Sequence, residues 1–531
     1  MRLAAALLAL ALGASAAKAL QRPREGKLRE NPTPLDLYVA DGDPTYSWEE
    51  LPDNKMTGDG WSGHLLNFTS QSWLTADDTS QPEWIHQLLV IVPDNLSRDT
   101  WAVEYITGGH ETDGPPQNSD EDVLVASRMA IGAQCVVTIL FQVPNECITF
   151  TAEDPPKCRS EDAFIAWTWE HFFQNETETE WIAQLPMAKA GVRGIDAAQD
   201  FLATELNMPD VDNWFVAGAS KRGWDTWLVG AVEPSFTGRV KGIIPMVDDV
   251  LSLHDNLHLH YQSLGGWSFA FEDYYALNLT KKLDGQPFAD LSAIVDPISY
   301  LDRYTDLPKL LIDATGDEFM LLTDQRLWWH DMTGDKYHII SPNTEHSLAT
   351  GITELLPSIA EWINRQIDGK PIPEYTEEID ETSGDITVTF ADDSELPSRA
   401  KVWYAHTCNA SDTVRRDFRM INADTVCECG VEASGSCAVA RAVSWKPMDL
   451  EPTQGGKVYV AHMDPPAEGT NTWVGFFIDF HFRNGPDRRA GNLGWPIDQP
   501  GTLELSTLVS VMPNTFAVPD CAGEACYGLL V

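Results

Sequence analysis

From about residue 65 to residue 367, short apolar runs alternate with longer segments that have a helical pattern. The apolar runs are typical of buried strands and predict strands at residues 65–70, 84–92, 101–107, 133–141, 214–217, 239–247, 309–314 and 336–340. The other segments predict helices at residues 120–131, 161–173, 181–206, 251–279, 319–331 and 352–367. This alternation favours an α/β fold, with a mostly parallel sheet covered by helices on both faces.

The pattern changes at residues 368–374, where proline and glycine are frequent and the helical periodicity stops. Seven short predicted strands follow, at residues 386–390, 400–406, 417–421, 437–445, 457–462, 473–482 and 503–511. Their spacing is typical of an immunoglobulin-like β-sandwich. We therefore predict an α/β domain at residues 20–370 and an all-β domain at residues 371–531.

The first 19 residues have the pattern of a secretory signal peptide. Arg2 is followed by an apolar run over residues 3–12, and Ala17-Lys18-Ala19 has the form of an A-x-A cleavage site. We expect cleavage after Ala19 and secretion of the mature protein. Residues 20–60 are rich in proline and acidic residues, which predicts an extended segment on the surface.

The formal net charge of −44 restricts the range of partners. A surface this acidic repels nucleic acid and anionic membranes, so neither is expected as a partner. No segment after the signal peptide is long and uncharged enough to span a membrane. A glycoprotein is indicated by N-x-S/T sequons at Asn67, Asn95, Asn175, Asn278 and Asn409.

Nine cysteines in an exported chain indicate disulfides and one unpaired thiol. Cys135 lies in an apolar run, so we predict that it is the free, buried thiol. Cys147 is expected to pair with Cys158, and Cys521 with Cys526. The remaining four form a cluster in the sequence, at Cys408, Cys427, Cys429 and Cys437.

The most informative stretch is residues 214–228, where an apolar run leads through a turn of small residues into a helical segment. Ser220 lies at this turn, with Gly218 before it and Gly223 after it. This pattern is typical of a nucleophile elbow, in which a serine is exposed at a sharp strand-to-helix corner. The usual pattern is G-x-S-x-G, whereas here Arg222 occupies the second position after the serine.

A serine nucleophile needs a base to take its proton and an acid to orient that base. In α/β-hydrolases the chain order is serine, acid, histidine. Asp317 follows the predicted strand at residues 309–314, and His346 follows the next predicted strand. We predict a Ser220–Asp317–His346 triad. Asp248 is the alternative acid, because it also follows a predicted strand.

An oxyanion hole is predicted from two places in the chain. Gly108 and Gly109 end an early strand, and their backbone N–H groups are free to approach an oxyanion. The backbone N–H of Lys221, directly after the nucleophile, is the second expected donor. The Lys221 side chain has two interpretations: it assists the oxyanion, or it pairs with surface acids.

Three histidines, at positions 254, 258 and 260, suggest a metal site, because His254 and His258 share one face of a helix. However, no H-E-x-x-H pattern accompanies them. We favour a cap segment over the active site, and we expect neither a metal nor a cofactor. Aromatic residues of this segment are predicted to line the pocket or the core, namely Trp267, Phe269, Phe271, Tyr274 and Tyr275.

Several stretches together resemble the PhoPQ-activated pathogenicity-related proteins. They are residues 70–73, 84–86, 107–109, 218–224, 314–319, 342–347 and 416–419. The most specific is G-A-S-K-R-G-W at residues 218–224, since this family shares the displaced glycine. The resemblance implies an α/β-hydrolase domain with a C-terminal β domain, export, and the three residues Ser220, Asp317 and His346. It does not imply a substrate.

Two hypotheses of function follow. The first is a secreted serine hydrolase that acts on a small-molecule ester or a peptide by acyl transfer. The second is a secreted signalling protein of the autocrine proliferation repressor type, which binds a cell-surface receptor and keeps a vestigial triad. The second rests on the resemblance, because some family members are described as secreted signals, and on the predicted sandwich, which is a common interaction module.

Overall fold

The computed structural model describes residues 22–408, 414–420, 431–433, 436–439, 443–483 and 502–531. Its α-helices are α1 (Pro34–Ala40), α2 (Glu121–Ala133), α3 (Glu161–Gln174), α4 (Gln184–Thr204), α5 (Lys221–Phe236), α6 (Leu253–Leu264), α7 (Glu272–Ala276), α8 (Gln286–Val295) and α9 (Ile352–Asp368). The strands of its largest sheet are β1 (Ser47–Glu50), β2 (Met56–Gly58), β3 (Trp61–Ser72), β4 (Glu83–Pro93), β5 (Trp101–Ile106), β6 (Val136–Leu140), β7 (Asn213–Ala219), β8 (Val240–Met246), β9 (Lys309–Ala314) and β10 (Lys336–Ser341).

The large sheet has the strand order β1-β3-β4-β6-β5-β7-β8-β9-β10, with β2 paired to β3. From β6 to β10 all neighbouring strands are parallel, whereas β4 pairs antiparallel with both β3 and β6. This is the arrangement of an α/β-hydrolase. It brings the carboxyl ends of β5, β7, β8, β9 and β10 to one edge of the sheet, where ligand sites of such sheets lie.

The sheet separates two apolar cores. On β7, Val216 packs in one core with residues of α4 and α5, such as Val192 and Leu228. Its neighbours Phe215 and Ala217 belong to the other core, with residues of α2 and α9. Because successive strand residues point to opposite faces, this division means that helices cover both faces of the sheet. The predicted α/β fold is confirmed.

The later strands form antiparallel sheets. They are β11 (Tyr375–Ile379), β12 (Ile386–Phe390), β13 (Arg399–His406), β14 (Val431–Ala433), β15 (Ser436–Val439), β16 (Lys446–Asp449), β17 (Val458–Ala461), β18 (Val474–Arg483), β19 (Thr502–Ser506) and β20 (Ser510–Met512). One sheet has the order β11-β12-β17 and another the order β16-β13-β18-β19, with β20 paired to β18, while β14 pairs with β15. The all-β fold predicted for this part is confirmed.

The antiparallel sheets share a core with the α/β part. Phe390 and Phe480 pack in the same core as Trp362 of α9 and Ile339 of β10. The backbone N–H of Ile340 also donates to Ser506 Oγ at 3.0 Å. The apolar core therefore continues across residue 370. The domain boundary at this residue stays a prediction from the sequence.

The N-terminal prediction was wrong in one respect. Residues 20–60 were expected to form an extended surface segment, but they contain α1 and β1, with Leu35, Val39 and Trp48 buried. A capping box begins α1: Thr33 Oγ1 accepts the N–H of Asp36, and Asp36 accepts the N–H of Thr33. One short helical turn with a capping box carries too little periodicity to stand out in a proline-rich sequence.

Other predicted elements were wrong or were broken. No α-helix lies at residues 319–331, which form a loop with one 3₁₀ turn at Asp324–Leu327. The helix predicted at residues 251–279 ends at Leu264, because Gly265 adopts a left-handed conformation with φ of 69°. Residues 417–420 form no strand, and residue 421 lies outside the described residues.

The described cysteines follow the predictions. Cys147 is bonded to Cys158 and Cys521 to Cys526, while Cys135 is free and buried. Cys408 is also disulfide-bonded. The predicted signal peptide, Asn409, Cys427 and Cys429 lie outside the described residues. Among the described helices, none is both long enough and apolar enough to cross a membrane.

Candidate active site

Ser220 lies at a sharp corner between β7 and α5, with φ of 58° and ψ of −130°. Positive φ is uncommon for a residue other than glycine, and strain of this kind is typical of a nucleophile elbow. Two glycines allow the close packing at this corner. A Cβ atom on Gly218 would meet the backbone oxygen of Arg222, and one on Gly223 would lie 2.8 Å from the backbone oxygen of Met246.

Ser220, His346 and Asp317 form a continuous chain of hydrogen bonds. His346 Nε2 lies 2.7 Å from Ser220 Oγ, and His346 Nδ1 lies 2.8 Å from Asp317 Oδ2. When Nδ1 carries the proton, it donates to Asp317 and leaves Nε2 to accept from the serine hydroxyl. The three residues come from the ends of β7, β9 and β10, so the sheet brings together side chains that are far apart in the sequence.

Backbone contacts hold the acid and the histidine in place. Asp317 Oδ1 accepts the N–H groups of Phe319 and Met320 at 2.7 and 2.9 Å. The N–H of Gly316 donates to Thr344 O at 2.8 Å, which ties the loop after β9 to the loop after β10. Asp317 is therefore held by the backbone of its own loop through Oδ1, while Oδ2 accepts from His346 Nδ1.

The electrostatics of the site raise the pKa of His346. Burial lowers the pKa of His346, but the charge of Asp317 and its hydrogen bond have the opposite effect and together outweigh burial. The pKa therefore lies above its ordinary value of 6.5. Asp317 stabilises the imidazolium that forms when a histidine takes a proton.

The alternative acid, Asp248, does not contact His346. It lies after the end of β8, is buried, and Oδ1 has no hydrogen-bond partner within the described residues. Burial, together with the neighbouring acids Asp313 and Asp296, raises the pKa of Asp248 well above its usual range. Asp248 therefore lies in the wall of the adjoining cavity, and Asp317 is the acid that is hydrogen-bonded to the histidine.

Three backbone N–H groups at the same edge of the sheet as the serine have no acceptor among the described residues: those of Gly108, Gly109 and Lys221. Lys221 is the first residue of α5, where helix N–H groups are left unpaired. Gly109 has φ of 119°, a conformation that favours glycine. The loop of Gly108 and Gly109 thus presents free donors at the same edge of the sheet as Ser220.

Arg222 fixes this loop, a role that the sequence did not reveal. Its guanidinium donates two hydrogen bonds of 2.7 Å to Glu161 and one of 2.5 Å to Val143 O. It also lies against Gly108, where a Cβ atom would come within 2.6 Å of Nη2. The helix that follows the nucleophile is thereby clamped to the glycine loop and to the start of α3.

The Lys221 side chain pairs with acids rather than facing the serine. Its Nζ lies 2.8 Å from Glu161 and 3.0 Å from Asp162. Burial raises the pKa of Glu161, but the charges of Arg222 and Lys221 outweigh burial and hold this pKa well below its usual range. Of the two interpretations of this side chain, the ion pairs support the second.

A cavity adjoins Ser220. Apolar side chains from α3, α5, α6 and α8 form most of its wall, including Trp169, Trp224, Leu257 and Phe288. Of the described residues that line it, the charged types are Asp162, Lys221 and Asp248. Asp162 and Lys221 pair with each other at 3.0 Å, and the rest of the described wall is mostly apolar.

The segment after α6 covers this cavity, as the cap interpretation predicted. Trp267, Phe271 and Tyr274 line the cavity, whereas Phe269 is exposed. Residues 529–531 pair with the segment from the other side: the N–H of Trp267 donates to Leu529 O, and the N–H of Val531 donates to Trp267 O, both at 2.7 Å. The last residues of the sequence therefore support a wall of the cavity.

Comparison with known proteins identifies the family. The profile of the PhoPQ-activated pathogenicity-related proteins matches residues 35–419. The chain belongs to this family. It is also 33% identical, over 497 residues, to the autocrine proliferation repressor protein A of Dictyostelium discoideum, with 92% of each chain covered. The predicted resemblance is confirmed.

Among solved structures, the chain of this PhoPQ-related protein is similar to two acetyl xylan esterases. One, from a Thermoanaerobacterium species, has 13% identity and a TM-score of 0.38, with 64% of this chain and 96% of the esterase covered. The other, from a Paenibacillus species, has 11% identity and a TM-score of 0.39, with 64% and 97% covered. An S-formylglutathione hydrolase from Agrobacterium tumefaciens has 14% identity and a TM-score of 0.36, with 59% and 98% covered.

Proposed function

We propose that this protein is a secreted serine hydrolase that cleaves esters with an apolar acyl group. The observation that carries the proposal is the hydrogen-bonded chain from Ser220 Oγ through His346 to Asp317. Serine, base and acid in this order, behind a strained elbow, are the parts that acyl transfer needs.

In the proposed mechanism, Ser220 Oγ attacks the ester carbonyl carbon while its proton passes to His346 Nε2. The carbonyl oxygen becomes an oxyanion, which the N–H groups of Lys221 and of the Gly108–Gly109 loop stabilise. His346 then gives its proton to the leaving alcohol, and the acyl group stays on Ser220. Water then attacks the acyl carbon while its proton passes to His346 Nε2, and His346 gives this proton to Ser220 Oγ as the acyl–oxygen bond breaks and the carboxylic acid is released.

The proposal of an ester with an apolar acyl group rests on the cavity. An enzyme that trims peptides from one end needs a free charge to bind the terminal amine or carboxylate. The cavity beside Ser220 offers none among its described lining residues, because Lys221 and Asp162 pair with each other at 3.0 Å. An apolar acyl chain needs only apolar surface, which the cavity supplies.

A fluorophosphonate probe tests the nucleophile. We expect the folded wild-type protein to be labelled and Ser220→Ala to remain unlabelled, since the probe reacts with an activated serine. Ser235→Ala is the matched control, because Ser235 lies on the same helix and donates to Val232 O, away from the histidine. Absence of labelling in the folded wild type would overturn the proposal.

A series of p-nitrophenyl esters tests the acyl group. We expect kcat/KM to rise from acetate to octanoate as more CH₂ groups are buried, by up to about threefold to fourfold per group. Leu257→Trp reduces the cavity and should lower kcat/KM for octanoate more than for acetate. The exposed Leu37 of α1 provides the control variant Leu37→Trp, for which the ratio should not change.

The alternative proposal, a secreted signal with a vestigial triad, is favoured by the name of the Dictyostelium relative, an autocrine proliferation repressor. Ser220→Ala separates the two proposals. A receptor-binding signal keeps its effect on proliferation without the hydroxyl, whereas a signal that acts through hydrolysis loses it while the protein stays folded.

A further inference from the structure

Two histidines of α6 converge on one carboxylate oxygen, outside the active site. His254 Nε2 and His258 Nε2 each lie 3.3 Å from Asp284 Oδ1. The two imidazole rings are 4.5 Å apart between centroids, because the residues are four positions apart on the helix. Three ligand-type atoms thus face a common point.

The distances fit a tetrahedral metal site. Zinc binds imidazole nitrogen and carboxylate oxygen at about 2.0–2.1 Å. In a tetrahedron with such bonds, two ligand atoms lie about 3.3 Å apart. Both nitrogen–oxygen distances match this value, and all three atoms lie within 4.8 Å of one another.

Each histidine is also oriented as a zinc ligand is. His254 Nδ1 lies 2.9 Å from Asp255, and His258 Nδ1 lies 2.8 Å from Asp520. Histidines that bind metal usually donate the second ring N–H to a carboxylate, which fixes the tautomer and directs the other nitrogen to the ion. Here the carboxylates leave both Nε2 atoms directed at Asp284.

His258 supplies an independent indication. Its side chain is buried, with 8% of the residue exposed, yet Nε2 makes no hydrogen bond within the described residues. A buried nitrogen that makes no hydrogen bond costs free energy, and the contact with Asp284 Oδ1 at 3.3 Å does not supply one. A cation at the common point would bind this nitrogen directly.

We propose that His254, His258 and Asp284 form a zinc site that ties the cap to the C-terminal loop. Asp284 precedes α8, and its Oδ2 accepts the N–H of Gly523 at 2.6 Å. Asp520 and Gly523 belong to the loop that the Cys521–Cys526 disulfide closes. The expectation that these histidines bind no metal rested on the missing H-E-x-x-H pattern, which cannot reveal an aspartate thirty positions away.

Titration of the full-length protein with Co²⁺ and then Zn²⁺ tests the site. The protein is first treated with EDTA, and no reductant is added, so that the disulfide beside His258 stays closed. We expect one Co²⁺ per chain with the visible spectrum of a tetrahedral complex, displaced by one Zn²⁺. The exposed His254 allows a variant that should fold, His254→Gln, and its affinity should fall about a hundredfold or more.

Two further variants and a second measurement make the test specific. Asp520→Asn should lower the affinity by about tenfold, because it removes only the orienting carboxylate. His462→Gln is the matched control, since His462 contacts Asp385 and Asp464 but no second histidine. In the wild type, Zn²⁺ should also slow amide hydrogen exchange in residues 253–264 and 520–527.

Equal affinity of the wild type and His254→Gln would overturn the proposal, as would a wild type that binds no Zn²⁺. Either result would mean that the cluster is a set of histidine–carboxylate ion pairs. The outcome does not depend on whether Ser220 acts as a nucleophile, because metal content and spectra are measured without a substrate.

Discussion

At the residue scale, the displaced glycine of the elbow has a physical reason. Gly223, three positions after Ser220, is the residue that faces β8, and a Cβ there would lie 2.7 Å from Asp248 Cβ. The second position after the serine faces the glycine loop instead, and Arg222 occupies it. In the G-x-S-x-x-G pattern, the glycine thus allows close packing against β8, and the residue before it forms a salt bridge to Glu161.

Replacement of Asp317 by asparagine tests the role of the acid. We expect kcat to fall by about three to four orders of magnitude, because the amide no longer holds the imidazole in the required tautomer. The pH profile should change as well. In the proposed mechanism a neutral His346 is the base, so we expect activity to be lost as the pH falls through the raised pKa of His346. Asp317→Asn should move this acidic limb of the profile to lower pH.

Steady-state kinetics across pH provide the measurement. The exposed Asp306, which precedes β9 as Asp317 follows it, gives the control variant Asp306→Asn with unchanged kcat. If Asp248→Asn abolishes activity while Asp317→Asn retains it, the assignment of the acid is wrong.

The sequence alone pointed to the three residues of the proposed triad, because each follows a strand and they occur in the order of the fold. The clamp of Arg222, Glu161 and Val143 was not predictable in this way. Arg222 and Glu161 are 61 positions apart, and neither forms a recognised motif with the other. Only the packing of α3 against the elbow brings them together.

At the element scale, residues 319–331 show why a helical pattern misled the prediction. Phe319 and Met320 donate their N–H groups to Asp317, and the N–H of Leu321 donates to Asp324 at 2.7 Å. These side-chain acceptors compete with helical hydrogen bonds and favour a turn. The loop thus holds Asp317 in place, and its residues Phe319 and Met320 line the cavity.

Strands β18 and β19 carry a buried charged cluster that should make stability depend on pH. His481 of β18 lies 2.9 Å from Asp479 and 3.0 Å from Glu504 of β19. Burial lowers the pKa of His481, but the two acids outweigh burial and raise it to about 9. Because the folded pKa exceeds the unfolded one, the stabilisation is complete below about pH 6.5 and is lost as the pH rises through about 9.

We expect the free energy of unfolding of the wild type to decrease by roughly 3 kcal/mol between pH 6 and pH 10 relative to that of His481→Gln. Urea denaturation of both proteins at each pH measures the difference between their free energies of unfolding. Other titrating groups contribute equally to both proteins and cancel in this difference. The exposed His462 supplies the control His462→Gln, which should follow the wild type. Parallel curves for the wild type and His481→Gln would contradict the predicted charge.

At the scale of the whole molecule, the two predicted domains are joined by their core. Trp362 of α9 packs with Phe215 of the large sheet and shares a core with Phe480 of the antiparallel sheet. The N–H of Glu504 also donates to Ser358 Oγ on α9 at 3.1 Å. Composition and strand spacing predicted two folds along the chain, but they carry no information about how much apolar surface the folds share.

A chain that ends at residue 373 should therefore fail to fold stably. Removal of the antiparallel sheets exposes the buried outer face of α9, and such an apolar surface promotes aggregation. We expect the truncated protein in the insoluble fraction and the full-length protein as a soluble species in size-exclusion chromatography. A soluble, fluorophosphonate-reactive truncated protein would show that the α/β part is autonomous.

The pairing of residues 529–531 with Trp267 has a consequence for the order of events during synthesis. A ribosome adds about 5–20 residues per second, so residue 531 is made roughly 10–40 s after His346. During that interval the nascent chain already holds its serine, aspartate and histidine, but the wall beside Trp267 lacks the segment that pairs with it. The wall of the cavity beside Ser220 is thus completed only after residues 529–531 have been made.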